Sequence, residues 1–116
     1  MKKKDKNINY KKKQKILQIA KQIVRKDGWS SDIFKKIIRK NINMVDLYYL
    51  FPDGYKNLIT FTLNEVNLAL KDKIKKINII NFPLSKRIKK ILIIRIEMLN
   101  EDKIFYNKTF NHLLIP

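Results

Sequence analysis

LYYLFPDG, residues 47–54, is the stretch that decides the fold, because it ends an apolar helix with two residues that stop helices, Pro52 and Gly54. Upstream, another apolar helix reaches Gly28-Trp29-Ser30, where the glycine suits a helix C-cap. Between these two stops, the spacing of apolar residues predicts two short helices separated by a break at residues 41–43. This order predicts a three-helix unit with a helix-turn-helix at its centre.

Helical periodicity continues through the rest of the chain, so we expect an all-α fold. Residues 1–13 are rich in lysine and lack that periodicity, which predicts a disordered or frayed basic tail. The three-helix unit then covers residues 14–54, and a further helical region covers residues 55–116. Ser30 or Ser31 is expected to cap the second helix, and Ser85 the fifth. The predicted helices lie at about residues 14–27, 44–50, 55–77, 86–99 and 102–114, and the second helix, which lies before the break at 41–43, has an apolar face of Ile33, Phe34, Ile37 and Ile38.

The net charge of +17 has two interpretations. A strongly basic surface attracts nucleic acid or an anionic membrane. However, the chain also contains 23 lysines, 20 isoleucines and 12 asparagines, whose codons are rich in A and T, so the charge also fits the codon bias of an AT-rich genome. Arginine, the better residue for bidentate contacts with guanine or phosphate, occurs only 4 times, which favours codon bias.

The residue types give little support to catalysis. The chain has no cysteine and a single histidine, His112, so it can build neither a thiolate site nor a multi-histidine metal site. Arg95 and Glu97 are two positions apart, which places them on different faces of a helix rather than in a catalytic pair. We therefore expect neither an enzyme nor a cofactor. The N-terminal segment lacks the apolar core of a secretory signal, so we expect a cytoplasmic protein.

The third predicted helix bears on DNA binding. Residues 16–58 resemble the DNA-binding unit of the TetR family in their apolar first helix, their glycine-aromatic turn and their LYxxF motif. The resemblance would make residues 43–49 the recognition helix. This helix carries Asp46 and no lysine or arginine, which suits phosphate and base contacts poorly. Packing of Leu47 and Phe51 between helices explains the motif better, and a TetR-like transcriptional regulator remains the alternative function.

The segment KRIKKILIIRIEML, residues 86–99, interleaves basic and apolar residues. One interpretation is a helix that lies on a membrane surface. The other is a core helix whose lysines are its solvated side. Since isoleucine and leucine cover more than half of its circumference, we expect it to be mostly buried. Its buried side should carry Ile88, Ile91, Leu92, Arg95, Ile96 and Leu99.

Four motifs occur in the order in which one known family carries them. Together they make a closer resemblance to that family than any one of them makes alone. They are Gly28-Trp29-Ser30, Leu50-Phe51-Pro52-x-Gly54, Phe61-x-Leu63-x-Glu65, and Arg87-Ile88 followed by Arg95-x-Glu97-x-Leu99. The family is the ubiquinone (coenzyme Q) biosynthesis accessory family related to the eukaryotic Coq proteins, whose bacterial members are often labelled rpsU-divergently transcribed protein. The closing HLLIP is similar to that family's apolar run ending in proline. The signature residues carried by these motifs are Gly28, Trp29, Phe51, Pro52, Gly54, Arg95 and Glu97.

The resemblance implies a TetR-like all-α fold that binds lipid rather than DNA. Members of the family hold an isoprenoid lipid in an apolar cavity, associate peripherally with a membrane and present quinone intermediates to the di-iron hydroxylase of the pathway. Residues 55–116 would then be the lipid-binding region, working at the inner face of the cytoplasmic membrane. Packing in the core would explain the same apolar residues equally well. The residues expected to face the lipid are Phe61, Leu68, Leu92, Ile96 and Leu99.

The chain also departs from the family, because members are considerably longer and the resemblance covers only their N-terminal half. The other half would carry most of the lipid cavity, the dimer-forming helices and the hydroxylase-binding surface, so none of those residues can be placed here. The apolar stripes of the helices at 55–77 and 86–99 would then be partly uncovered, which predicts a homo-oligomer or a separately encoded partner. A truncated or degenerate copy is a further expectation.

Overall fold

The computed structural model describes residues 3–114, with the side chains of residues 7–114. This part of the chain is all-α, as the sequence predicts: it contains six α-helices and no strand, and 81% of the described residues are helical when the 3-10 helix below is included. The α-helices are α1 (Lys3–Asp27), α2 (Ile33–Ile38), α3 (Met44–Leu50), α4 (Tyr55–Lys75), α5 (Leu84–Asn100) and α6 (Lys103–Leu114). A short 3-10 helix, Ile79–Asn81, lies between α4 and α5.

Helix α1 begins much earlier than expected, so the prediction of a disordered tail is wrong for residues 3–13. The first two residues of that predicted tail lie outside the described part of the chain. The early turns of α1 pack against α4: the Tyr10 hydroxyl donates a hydrogen bond to the Glu65 carboxylate. The Tyr10 ring also meets the Phe61 ring edge-on, with 5.9 Å between centroids. Apolar periodicity does not reveal this contact, because one aromatic residue and its hydroxyl make it.

Helices α1 and α3 end and α4 begins where the sequence predicts, whereas α4 ends at Lys75, two residues before the predicted end. Gly28 follows α1 at φ 78° and Gly54 precedes α4 at φ 83°, both in the left-handed region that favours glycine. Asn43 caps α3, since its side-chain oxygen accepts hydrogen bonds from the backbone N–H groups of Val45 (2.8 Å) and Asp46 (3.2 Å). The bounds of α3 therefore agree with the sequence prediction.

The predicted serine caps are wrong in detail. Asp32, not a serine, occupies the N-cap of α2, and the Ser30 hydroxyl accepts a 3.3 Å hydrogen bond from its backbone N–H. Helix α5 begins at Leu84, directly after Pro83, so Ser85 lies inside its first turn. Phe82 is extended (φ −92°, ψ 145°), because a proline disfavours the helical conformation of the residue before it. The helix therefore begins only after Pro83.

One apolar core joins the three-helix unit to the first half of α4 and to α6. Trp29 is central to it: its ring stacks on Tyr55 at 6.5 Å between centroids, and its Nε1–H donates a 2.8 Å hydrogen bond to the Thr109 hydroxyl. The Gly28-Trp29 motif therefore attaches α6 to the helices that precede it. The buried residues of this core are Ile16, Leu17, Ala20, Ile23, Val24, Trp29, Ile33, Phe34, Ile37, Leu47, Leu50, Phe51, Leu58, Ile59 and Phe105.

The second half of α4 and the helix α5 form an arm with a small core of its own. Only Leu70, Ile94 and Met98 are buried in it. The radius of gyration is 16.5 Å, against about 13 Å expected for a compact domain of this length. The dimensions of 50 × 38 × 23 Å are likewise those of an extended molecule. Much of the surface of α5 therefore lies outside any core.

The prediction that α5 is mostly buried is wrong. Of its apolar residues only Ile94 and Met98 are buried, whereas Ile88, Leu92 and Ile96 are 53–57% exposed. Ile91 and Leu99, also expected on the buried side, are half-buried, and Arg95 is exposed. Isoleucine and leucine surround this helix on all sides, so periodicity could not show which side faces α4.

Candidate functional site

The five residues expected to face a lipid do not surround a common cavity. Phe61 is half-buried, and its ring packs edge-on against Phe51 at 6.0 Å between centroids. Leu68 is exposed, two positions from the buried Leu70 and therefore on the other side of α4. On α5, Leu92 and Ile96 face solvent, and Leu99 is half-buried.

Most of the signature residues explain the fold rather than a site. Gly28 and Gly54 adopt positive φ at helix ends, and Trp29 and Phe51 are buried in the main core. Pro52 lies exposed in the turn after α3. The last two signature residues, Arg95 and Glu97, are exposed on α5.

The segment between α4 and α5 presents an apolar surface that we name the apolar tip, residues 79–84. Ile80 is 76% exposed and Leu84 is 69% exposed, with Phe82 exposed between them. Arg87 fixes the backbone beneath them: its guanidinium donates hydrogen bonds to the carbonyls of Phe82 (2.7 Å) and Ile80 (3.1 Å). The sequence pattern predicted only a helix break here. The feature of the sequence that could have indicated an exposed apolar surface is the run IINFPL, residues 79–84, which has lysines on both sides.

The apolar tip continues into a stripe along α5. Its members recur every four residues, which places them on one slowly winding face of the helix. They are 53–69% exposed, and the stripe is about 18 Å long at 1.5 Å per residue. The residues of this α5 stripe are Leu84, Ile88, Leu92 and Ile96.

Basic side chains surround the apolar tip. An open groove of about 590 Å³ lies beside it, and we name it the lysine groove. Residues 71–90 include eight basic residues and one acidic residue, a net charge of +7 on the end of the arm. The groove is lined by Asn81, Phe82, Pro83, Lys86, Lys89, Lys90 and Ile93.

A second cleft, of about 450 Å³, lies between α1, α4, α5 and α6, and polar and apolar side chains line it in about equal measure. It includes charges of both signs, with Lys21 and Glu65 on opposite helices. Tyr106 also lines it, and burial, followed by the nearby carboxylates of Asp102 and Glu101, raises the pKa of the Tyr106 hydroxyl. These polar groups suit a charged or hydrogen-bonding molecule better than an isoprenoid chain.

The outer face of α3 is uncovered. Leu47 and Leu50 are buried beneath it, so the packing that the sequence predicts for the LYYLF motif is confirmed. Val45 and Tyr49 are 71% and 69% exposed on the outside, and Asp46 is exposed beside them. This face offers two tyrosines and a carboxylate but no cation of its own.

Within residues 3–114, no group of three His, Cys, Asp or Glu residues is placed to hold a metal ion. No helix in the same range combines the length and the apolar character needed to cross a bilayer. The chain matches no protein-family model, no curated protein and no solved structure. The resemblance to the ubiquinone accessory family therefore stays a prediction, and the functional argument depends on the arm.

Proposed function

We propose that this chain is a lipid-binding accessory protein of ubiquinone biosynthesis, which holds an isoprenoid intermediate and presents it to the hydroxylase of the pathway. The α5 stripe is the observation that carries the proposal. Its aliphatic side chains are 53–69% exposed and contiguous, whereas large exposed apolar patches on soluble proteins generally mark a partner or a ligand.

The energetics favour a ligand of this kind. Each square ångström of apolar surface removed from water contributes about 25 cal/mol, so a hydrocarbon lying along the stripe is stabilised over its whole length. The stripe covers only one side of such a ligand. A second copy of the chain, a separately encoded partner or a membrane must cover the other side. This supports the expectation of a homo-oligomer or a partner-dependent protein.

The main core supports a protein that folds rather than a degenerate copy. Within residues 7–114, no buried polar side-chain atom lacks a hydrogen-bond partner. Trp29 and Thr109 illustrate this, since each satisfies the polar group of the other in the core. One unsatisfied buried group would cost about 1–3 kcal/mol, so the satisfied core favours a folded chain.

The proposal can be tested by the retention of an added isoprenoid quinone after gel filtration. The wild-type chain should retain it, and the double variant Leu92→Asp/Ile96→Asp should lose it, since both changes place a carboxylate on the stripe. Val45→Asp, a matched change at an exposed apolar position of α3, should retain it. Equal retention by all three folded proteins would contradict the proposal.

A TetR-like DNA-binding regulator is the second candidate, and the uncovered outer face of α3 favours it. A groove of about 490 Å³ beside α2 adds basic residues nearby, including Lys36, Arg39 and Lys40. Against it, α3 itself has no cation for base edges. Duplex binding that depends on base sequence at physiological salt would favour this candidate. Binding that only follows salt concentration is what a +17 protein gives with any duplex.

A further inference from the structure

The apolar tip projects its side chains into solvent without any cover from the rest of the fold. Ile80 and Leu84 are the most exposed large aliphatic residues of the arm. The two hydrogen bonds from Arg87 to the tip carbonyls hold this segment in place in the absence of a partner. A segment held in this way loses little conformational freedom when it enters an apolar phase.

The lysine groove lies directly beside the tip and shares Phe82 and Pro83 with it. Lys86, Lys89 and Lys90 line this groove, so three ammonium groups stand next to exposed hydrocarbon. A lipid presents the complementary pair of groups, an anionic headgroup phosphate next to hydrocarbon acyl chains. The groove is open, at about 590 Å³, so a headgroup can enter it from the surface.

The charge and the residue types together select the occupant. The end of the arm carries a net charge of +7 over residues 71–90, which complements an anionic surface. Nucleic acid would satisfy this charge but would leave the aliphatic tip in water, because recognition of nucleotides relies on aromatic stacking and base-edge contacts. An anionic bilayer satisfies the lysines with its headgroups and the tip with its acyl chains.

We infer that the apolar tip and the lysine groove dock the protein on an anionic lipid bilayer, with Ile80 and Leu84 inserted among the acyl chains and a headgroup phosphate in the groove. This inference builds on the proposed function, because the bilayer is the source of the isoprenoid. The apolar tip and the lysine groove are then the surface through which the arm reaches the bilayer. The α5 stripe, which begins at Leu84, leads away from the inserted tip toward the body of the protein.

The absence of cysteine from the chain allows a direct test with one reporter at a time. Ile80→Cys and Val45→Cys are each labelled with an environment-sensitive fluorophore and mixed with phosphatidylcholine vesicles, with or without phosphatidylglycerol, all lacking isoprenoid. The inference predicts a blue shift at position 80 with the anionic vesicles only, and none at position 45. An unshifted spectrum at position 80, or equal shifts at both positions, would overturn it.

Charge reversal gives a second, independent measurement by vesicle sedimentation. Lys89→Glu/Lys90→Glu should weaken binding to the anionic vesicles about tenfold or more, because each basic residue near the surface contributes to binding. Lys40→Glu/Lys56→Glu, a matched pair of exposed lysines outside the arm, should weaken it far less. Equal losses in the two double variants would overturn the inference in favour of unspecific electrostatic attraction.

The two proposals fail in different ways. If the label at position 80 reports no docking, or charge reversal at Lys89 and Lys90 leaves vesicle binding unchanged, while the wild type retains isoprenoid quinone, the docking inference is wrong and lipid binding stands. If the protein docks through its tip but retains no isoprenoid, the proposed function is wrong and the docking surface stands.

Discussion

The indole Nε1–H of Trp29 donates a 2.8 Å hydrogen bond to the hydroxyl of Thr109, 80 residues further along the chain. Both residues are buried, and the Thr109 hydroxyl in turn donates to the Phe105 carbonyl at 2.8 Å within α6. The pair therefore joins the turn after α1 to the last helix. It gives a structural role to the glycine-tryptophan motif of the sequence.

Replacement of Thr109 by valine should destabilise the fold by about 1–3 kcal/mol, because the indole N–H would stay buried without an acceptor. Urea unfolding followed by Trp29 fluorescence measures the change. Thr60→Val is the matched control, since Thr60 is exposed on α4 and its loss should change the free energy of unfolding by less than about 0.5 kcal/mol. Equal effects of the two substitutions would show that the buried hydrogen bond does not stabilise the protein.

The ion pair between Arg25 and Asp102 should make stability depend on pH in the acid range. Two hydrogen bonds join the groups, one of them 2.9 Å from Nε to Oδ1. The Arg25 guanidinium holds the pKa of Asp102 below its usual value, by hydrogen bonding first and by charge attraction second, although partial burial opposes this. The pKa of Asp102 is lower in the folded state than in the unfolded state. The ion pair therefore makes its full contribution to the free energy of unfolding above about pH 3.9, the unfolded value, and loses it as the pH falls through the folded pKa.

Asp102→Asn should therefore lower the free energy of unfolding by about 1 kcal/mol near neutral pH, and the difference from the wild type should vanish in strong acid. Urea unfolding at a series of pH values measures both effects. The control is Asp32→Asn, whose ion pair with Lys35 is exposed and 3.9 Å long. A wild-type advantage that persists in strong acid would contradict the assignment to this carboxylate.

Because one side of α5 is buried and the other is exposed, substitutions on the two sides should differ in their cost to stability. Ile94→Ala should cost about 2–4 kcal/mol, because Ile94 is buried against α4 and its loss leaves a cavity. Leu92→Ala, two residues away on the exposed side, should cost less than about 1 kcal/mol. Thermal or urea unfolding of both variants compares the two sides of the helix. A larger cost at Leu92 would mean that the α5 stripe is packed in a core and is not free for a ligand.

The sequence predicts the end of α1, both ends of α3 and the start of α4 well, because specific residues mark these boundaries. Gly28 and Gly54 adopt backbone angles that suit glycine, and Asn43 supplies a side-chain cap, so each boundary has a local cause. No such cause sets the orientation of α5, whose apolar residues surround the helix and whose buried side depends on a tertiary contact with α4. The start of α1 was missed for the same reason, since Tyr10 is ordered by a distant residue, Glu65.

The candidate site was less predictable than the fold. The sequence predicts that Phe61 and Leu68 both face a lipid, but the structure packs the half-buried Phe61 against the main core and exposes Leu68 to solvent. The apolar tip was absent from the sequence prediction because Pro83 suggested only an interruption. The segment becomes a candidate binding surface only because Ile80 is exposed, and that exposure is set by the way the arm folds.

The most direct test of lipid binding is organic extraction of the folded wild-type protein, purified from a ubiquinone-producing bacterium, followed by mass spectrometry for isoprenoid quinones and their precursors. Leu92→Asp/Ile96→Asp, purified in parallel, controls for carry-over of membrane lipid. Our account predicts an isoprenoid in near-stoichiometric amount with the wild type and a large loss with the variant. A folded wild-type protein that carries no isoprenoid, or one that carries it equally after the α5 stripe is charged, would contradict it.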